Sequence, residues 1–323
     1  MIKNEKIFIS GGAGFIGSLL GRLLEQQNEI VIYDNFTRLS RTFEDDSSKN
    51  NKHNNKHIVK GDILDYPTLE RAIQGSTVVI HAAAIAGIDT VIKNPVLTMD
   101  VNYTGTSNVL KAAYESGTCE KFLNFSTSEV FGSHAYHVDE LSQTVSGSVG
   151  EARWVYSVSK NAAEHLAYSY YSHFGLPVAS VKPFNIYGPG QIGEGAMLIF
   201  AQRAIKNQNL YINGDGSQIR AWCYIDDFCD AILSIINTDV AIGQSLNIGN
   251  PRAVTTIFGL AQTICRVTNS SSEIHFRDAL SADVELRVPK IDKASELLNF
   301  EPKVNLEEGI QKLVNWLRNN EEH

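Results

Sequence analysis

Residues Lys6-Ile-Phe-Ile-Ser-Gly-Gly-Ala-Gly-Phe-Ile-Gly17 decide how this chain folds. Ile7 to Ile9 form a short apolar run of the kind that fills a buried parallel strand, and glycines follow at once. Leu19, Leu20, Leu23 and Leu24 then recur at helical spacing. A glycine turn between strand and helix is the context that makes a loose glycine pattern a dinucleotide site. Gly12, Gly14 and Gly17 satisfy G-x-G-x-x-G, while Gly11, Gly14 and Gly17 give an equally usable G-x-x-G-x-x-G. Without Cβ atoms the backbone turns tightly and approaches a pyrophosphate. The first helical turn (Phe15, Ile16, Gly17) then aims free N–H groups at the anion. A second apolar strand, Ile30 to Tyr33, ends in Asp34 and Asn35. A carboxylate at that place accepts hydrogen bonds from an adenosine ribose and repels a 2′-phosphate, which selects NAD over NADP.

With 323 residues, 43% of them hydrophobic, the chain has material for one large domain or two lobes. Its net charge of -8 offers no basic stripe for nucleic acid. No apolar run reaches membrane-spanning length, and Met1-Ile-Lys-Asn leads into a strand rather than a signal peptide, so a cytoplasmic protein is expected. Cys119, Cys223, Cys229 and Cys265 lack any C-x-x-C pairing and read as reduced structural thiols. His53 and His57 sit in an Asn/Lys-rich tract without further ligands, so no metal site is expected.

Taken in order, Ser40 to His57 is polar and aperiodic and reads as a mobile surface insertion, with Arg38 and Arg41 as solvated charges. Ile58 to Ile63 is a third strand, whose last residues, Asp62 and Ile63, are placed to meet an adenine edge. Val78-Val-Ile-His-Ala-Ala-Ala84 is a fourth, breaking into small residues (Ala82, Ala84) that leave room for a cofactor. His81 reads as packed in the strand end rather than catalytic. A helical pattern opens at Pro95 and ends near Gly117, and Asn102 interrupts its apolar face. Asn102 is either a core hydrogen-bonding residue or a cofactor contact.

Lys121-Phe-Leu-Asn-Phe-Ser-Thr-Ser-Glu129 is a fifth strand running into hydroxyls and a carboxylate. Ligands lie beyond the carboxyl ends of parallel strands, which sets Ser126, Thr127, Ser128 and Glu129 beside the cofactor. Ser133 to Trp154 is polar and Gly/Ser-rich, a candidate substrate-covering loop. Tyr156-Ser-Val-Ser-Lys160 starts a helix to about Phe174, with Tyr156 and Lys160 on one face. After a sixth strand, Pro177 to Pro183, the strand–helix alternation loosens into a smaller lobe that includes a strand at Ser245 to Ile248. The fold read from this pattern is α/β: a Rossmann-type doubly wound parallel sheet with a smaller C-terminal α/β substrate lobe. The division falls at 1–184 and 185–323, with a returning segment near 222–243. The last helix, Leu306 to Leu317, has Asn305 and Glu308 in capping-box positions.

A phenol and an ammonium one turn apart near a nicotinamide have a specific use. Lys160 is expected to lower the Tyr156 pKa so that the phenolate removes a hydroxyl proton, with Thr127 on the same oxygen. At this point the chain resembles the extended short-chain dehydrogenase/reductase family, specifically its nucleotide-sugar epimerases, dehydratases and decarboxylases. The resemblance rests on Gly11 to Gly17, Asp34-Asn35, Gly61-Asp62, His81 to Ala84, Ser126 to Gly132, Tyr156 to Lys160, Phe184-Asn-Ile-Tyr-Gly-Pro189 and Gly214 to Arg220. It implies that a UDP- or dTDP-sugar is oxidised at C4 by a tightly held NAD, with Tyr156 as base. It further implies that Asn185, Arg220 and Arg287 hold the diphosphate or sugar and Tyr211 the base. A homodimer through 95–117 and 156–174 is expected on the same ground. For Arg220 and Arg287 the plainer alternative is a salt bridge.

Glu129 separates the reactions. In relatives that act at C5 a glutamate stands there, and its carboxylate could remove the C5 proton once C4 is a ketone. Ser128 stands where hexose 4,6-dehydratases carry an aspartate, and a serine is a poor general acid. The expectation is a UDP-hexose or UDP-N-acetylhexosamine epimerase or dehydratase acting at C4 and then C5. UDP-glucuronate decarboxylation is the alternative, and a silent nucleotide-sugar-binding scaffold is the alternative of another class.

Overall fold

Apolar β-branched runs with no polar face form strands buried on both sides, and Ile7, Phe8 and Ile9 are completely buried in the first of them. The computed structural model describes residues 2–48, 55–280 and 282–321. It opens with β1 (Lys6–Ser10), α1 (Phe15–Leu24), β2 (Glu29–Asp34), α2 (Arg41–Ser48), β3 (Lys56–Lys60) and α3 (Tyr66–Ile73). β4 (Val78–His81), α4 (Ile88–Lys93) and α5 (Pro95–Met99) come next, and a π-helical turn, Asp100–Gly105, joins α5 to α6 (Thr106–Glu115). β5 (Lys121–Phe125) runs into a 3₁₀ turn, Ser128–Phe131, and then β6 (His134–Val138). A second 3₁₀ turn, Ala152–Trp154, opens α7 (Val155–Phe174), and β7 (Val178–Pro183) follows. The chain continues through β8 (Ile186–Tyr187), α8 (Ala196–Ile205), β9 (Leu210–Asn213), β10 (Ile219–Ala221), β11 (Cys223–Tyr224) and α9 (Ile225–Ile236). Last come β12 (Ser245–Ile248), β13 (Val254–Thr256), α10 (Ile257–Thr268), β14 (Ile274–Arg277), β15 (Leu286–Pro289), α11 (Asp292–Leu298) and α12 (Leu306–Glu321).

The main sheet has seven strands in the order β12-β7-β5-β4-β1-β2-β3, every neighbouring pair parallel. The order reverses between β1 and β4, and ligands of open parallel sheets lie beyond the strand ends at that reversal. A four-stranded sheet, β13-β10-β15-β6, and two short strand pairs build the rest. In the four-stranded sheet β10 and β15 are parallel, in a register that sets Arg220 directly opposite Arg287.

Four expectations change. Ser245–Ile248 belongs to the main sheet as its edge strand against β7, not to the smaller lobe. The buried faces of Leu246 and Ile248 fit a sheet position, and the strand covers an edge that β7 would otherwise leave unpaired. The segment after residue 132 is not all loop, because β6 crosses over to pair with β15. Arg41–Ser48 is helical, anchored by buried Phe43 against Phe36 with ring centroids 6.0 Å apart. The rest of that insertion through residue 54, His53 included, lies outside the described residues. The helix from Pro95 is broken by the π turn, a device found at functional sites. The capping reading of the last helix is seen directly: Glu308 N–H donates to Asn305 Oδ1 at 3.0 Å. No helix among the described residues is long and apolar enough to cross a membrane.

Candidate active site

The turn after β1 is packed against the chain leaving β4. Gly11 has φ +70°, and a Cβ there would lie 2.6 Å from Ala83 N. A Cβ on Gly17 would lie 2.3 Å from the Gly11 carbonyl oxygen. Gly14 precedes α1 without a side-chain cap, so the first-turn amides of Phe15, Ile16 and Gly17 are left for a ligand. Asp34 ends β2, where its carboxylate accepts from Ala13 N–H at 3.1 Å and Phe36 N–H at 2.8 Å. Burial pushes its pKa up, and those backbone donors oppose the rise. Asn35 donates to Asp62 Oδ2 at 3.2 Å, which links the ends of β2 and β3. This glycine cradle, uncapped helix start and strand-end carboxylate fit NAD. The Arg38 guanidinium donates to the Ala86 carbonyl at 2.6 Å instead of facing a 2′-phosphate site.

Two expected cofactor contacts do other work. Ile63 is buried in the core beneath Gly105, and its carbonyl accepts from Asn108 at 2.9 Å, so its side chain does not face the cradle. Asn102, on the π turn, is fully buried. Its Oδ1 accepts from Ile85 N–H at 2.8 Å, and its Nδ2 donates to Ile85 O at 3.0 Å and Ser159 Oγ at 3.1 Å. With both amide hydrogens spent, Asn102 braces the loop after β4 against α7. His81 bonds Ser10 Oγ at 2.7 Å and Thr106 Oγ1 at 2.8 Å. Burial, then the Lys160 charge, lower its pKa to about 3, so it is a neutral core residue.

Thr127 caps the 3₁₀ turn by accepting from Glu129 N–H at 3.2 Å, and its hydroxyl also bonds Tyr156. Tyr156 and Lys160 share a face of α7, and Lys160 is buried. The expected depression of the phenol is not found. Burial and then the Glu129 charge push Tyr156 up to about 12, while burial pulls Lys160 down to about 8. Burial is the largest influence on both groups, so the phenol is protonated here.

The site also holds a residue that sequence reasoning missed. Arg153, in the 3₁₀ turn before α7, pairs with Glu129 at 2.5 Å, and Arg287 stands 3.5 Å from the other Glu129 oxygen. Burial works to raise the Glu129 pKa, but Arg287 and Arg153 outweigh it and hold the carboxyl below its ordinary value. Arg220 leans on the Val284 carbonyl and lies 3.5 Å from Asp283, and burial, then Arg287, push it down to about 10. Arg153 Nε, Arg287 Nε and Arg287 Nη2 are buried with no hydrogen-bond partner among the described residues. Buried unpaired donors carry a penalty of about 1–3 kcal/mol each, more when charged, which an acceptor-rich ligand removes. Arg153 carries a local signal: it stands three residues before Tyr156, one helical turn from the phenol.

Ser128 is buried beside this cluster. Asn185, at φ +45°, donates to Ala221 O at 2.8 Å. Tyr211 is stacked on His275 at 5.8 Å, with the Arg277 guanidinium 3.8 Å and the Arg203 guanidinium 5.0 Å from its ring centroid.

A dinucleotide cradle, a tyrosine–lysine face and a cluster of buried arginines together mark an NAD-dependent enzyme. The chain belongs to the NAD dependent epimerase/dehydratase family, whose model matches residues 7–249, and it is an NAD-dependent enzyme of the extended short-chain dehydrogenase/reductase type. It is 32% identical over 324 residues to a UDP-N-acetyl-alpha-D-glucosaminuronate decarboxylase of Bacillus cytotoxicus, covering 97% of this chain and 98% of that one. It is 33% identical to UDP-glucuronic acid decarboxylase 5 of Arabidopsis thaliana, over 95% of this chain and 87% of that one. A UDP-glucuronic acid 4-epimerase from Bacillus cereus, solved with UDP-glucuronic acid and NAD, superposes with a TM-score of 0.89 at 28% identity, covering 98% and 99% of the two chains.

Proposed function

We propose that this enzyme decarboxylates a UDP-hexuronate: UDP-glucuronate or its 2-acetamido counterpart. The observation that carries the reading is the set of unpaired buried donors on Arg153 and Arg287 around an ionised Glu129. A carboxylate paired with two guanidiniums is a weak base, so Glu129 is read as an arginine holder rather than the C5 base. The unpartnered Nε–Nη2 edge of Arg287 suits a bidentate acceptor such as a sugar carboxylate or a diphosphate, with the Arg153 Nε as a further donor. Both decarboxylase relatives act on a substrate of this kind by name.

NAD bound in the glycine cradle supplies hydride removal at C4 and its later return. Tyr156 would first give up its own proton to solvent, the Lys160 ammonium and a bound cationic nicotinamide favouring the phenolate, and then take the 4-hydroxyl proton, while Thr127 and Ser128 steady that oxygen. With C4 a ketone, the C5–C6 bond breaks, carbon dioxide leaves and its electron pair passes into the C4 enolate. Solvent then protonates C5, and as hydride comes back to C4 Tyr156 returns the hydroxyl proton to its oxygen. No leaving hydroxyl needs an acid, which fits serine at position 128. Asn185 and Arg220 hold the diphosphate, and Tyr211, its ring packed by Arg277 and His275, contacts the base through its hydroxyl edge.

The likeness to a solved 4-epimerase favours a second reading, in which the same uronate turns over and is reduced from its other face without losing C6. Incubation with NAD and each UDP-uronate, read by NMR and carbon dioxide release, separates the two. A UDP-pentose with stoichiometric carbon dioxide is expected, and a 4-epimer that keeps its carboxylate selects the alternative. Tyr156→Phe is expected to lower kcat by about 10³ with substrate binding retained. A wild-type protein that binds NAD and a UDP-uronate and converts none of them would instead support the scaffold reading.

The protein is further read as a cytoplasmic homodimer. Val96 and Leu97 on α5, Tyr114 on α6, and Tyr168 and Phe174 on α7 leave large apolar side chains exposed. Tyr114 and Phe174 pack at 5.1 Å, which joins the exposed apolar patches of α6 and α7. Sedimentation equilibrium is expected to give twice the 35.6 kDa chain mass. A charged pair, Val96→Glu with Phe174→Glu, is expected to yield monomers.

A further inference from the structure

Tyr156, Lys160 and Glu164 recur every four residues along α7 and so share one face. The mechanism above uses the first two and leaves the third unexplained. Glu164 is not a surface carboxylate. Its Oε2 accepts from Ser126 Oγ at 2.5 Å, its Oε1 from Ser245 Oγ at 2.6 Å, and Lys182 Nζ pairs with it. These partners come from β7, β12 and the end of β5, so four elements meet on one carboxylate. Ser126 is also the residue before Thr127, whose hydroxyl bonds Tyr156.

The region around Lys160 is otherwise poor in negative charge. β4 contributes neutral His81, and β7 contributes Lys182, already committed to Glu164. The 3₁₀ turns on either side contribute Glu129 and Arg153, paired with each other. The π turn contributes uncharged Asn102, while Asp100, Tyr103, Lys111, Tyr114 and Glu115 lie at the surface. On α7 itself there are Tyr156 and Glu164. Burial works to strip the Lys160 proton, and Glu164 is the charge that opposes it.

We propose that Glu164 is a positioning residue: pinned by Ser126, Lys182 and Ser245, it is the counter-charge of Lys160 and ties the end of β5 to the Tyr156 face of α7. The proposal rests on Tyr156 and Lys160 being the reacting pair. Removing the carboxylate leaves Lys160 with burial unopposed, so its ammonium loses its proton at lower pH. A merely structural Glu164 would not move that midpoint.

The test follows Lys160 directly by ¹³Cε NMR titration, its signal assigned with Lys160→Met, beside kcat/KM against pH. Wild type is compared with Glu164→Gln, Glu164→Asp and the double variant Glu164→Gln/Lys182→Met. The double variant removes both charges, so it leaves no buried lysine unpaired if Glu164→Gln alone fails to fold. The Lys160 midpoint and the basic limb of the rate profile are both expected to fall by about one pH unit in the Gln variants, and Asp is expected to restore most of the shift. A folded Gln or double variant whose Lys160 midpoint matches wild type overturns the proposal. The NMR readout needs no turnover. A shifted midpoint without conversion of any UDP-uronate would sink the proposed reaction and leave the Glu164 assignment standing.

Discussion

Lys160 is an ammonium inside the protein, and its burial has a sign that heat denaturation can read. Its folded-state value, about 8, lies below its ordinary 10.5. Between those values the unfolded chain binds more protons, so stability rises with pH across that window. Below about pH 8 the charge is present in both states, and its burial costs about 3 kcal/mol at 1.36 kcal/mol per unit. Lys160→Met is therefore expected to raise Tm at pH 7, by a margin that shrinks towards pH 10, while abolishing turnover. A lower Tm at pH 7 would contradict the assignment. The arginine cluster shows what single residues do not disclose in sequence. Arg220 and Arg287 were legible by resemblance, but Glu129 meets Arg153 across 24 positions and Arg287 across far more. A pairing of that kind belongs to the fold and not to local spacing. The same packing reversed the expected effect on Tyr156, because desolvation is set by what surrounds a phenol, and its neighbours in sequence carry no record of that.

The β1–turn–α1 unit is the element most fully written in local sequence, since each glycine answers a nearby backbone constraint. Gly17 is the clearest: its missing Cβ would overlap the Gly11 carbonyl at 2.3 Å and Gly12 Cα at 2.8 Å, both backbone atoms that cannot move aside cheaply. Gly17→Ala is expected to weaken NAD binding at least tenfold and to lower Tm, read by calorimetric titration and thermal melts. Unaltered affinity would mean that the turn tolerates a displaced α1. Other elements were less legible. The π turn leaves no signature in apolar periodicity, because one extra residue per turn only shifts the phase of a short helix. Its effect is plain in space, where Asn102 reaches both Ile85 and Ser159 and so fixes the loop after β4 against the reactive face of α7. α2 was hidden by its polar composition, and buried Phe43 anchors it.

At the scale of the whole molecule the chain crosses between its two parts more than once. β6 leaves for the smaller sheet, and α9 and β12 return to the larger one, where Phe228, Ile232, Leu246 and Ile248 are buried. A fragment of residues 1–184 would expose the β7 edge and lose the α9 face of its core. It is expected to aggregate or to show no cooperative melt by circular dichroism, and a cooperatively folding fragment would show that the returning strand is dispensable. Local sequence by itself determined the parallel strands, the glycine cradle, the Asp34 carboxylate and the Tyr156–Lys160 face, because each depends on residues within a turn or two of one another. Tertiary structure alone decided the edge strand, the brace at Asn102, the guanidiniums around Glu129 and the proton affinities of the reacting pair. Those depend on which distant groups exclude water from a given atom, and the number of residues between them along the chain places no limit on that.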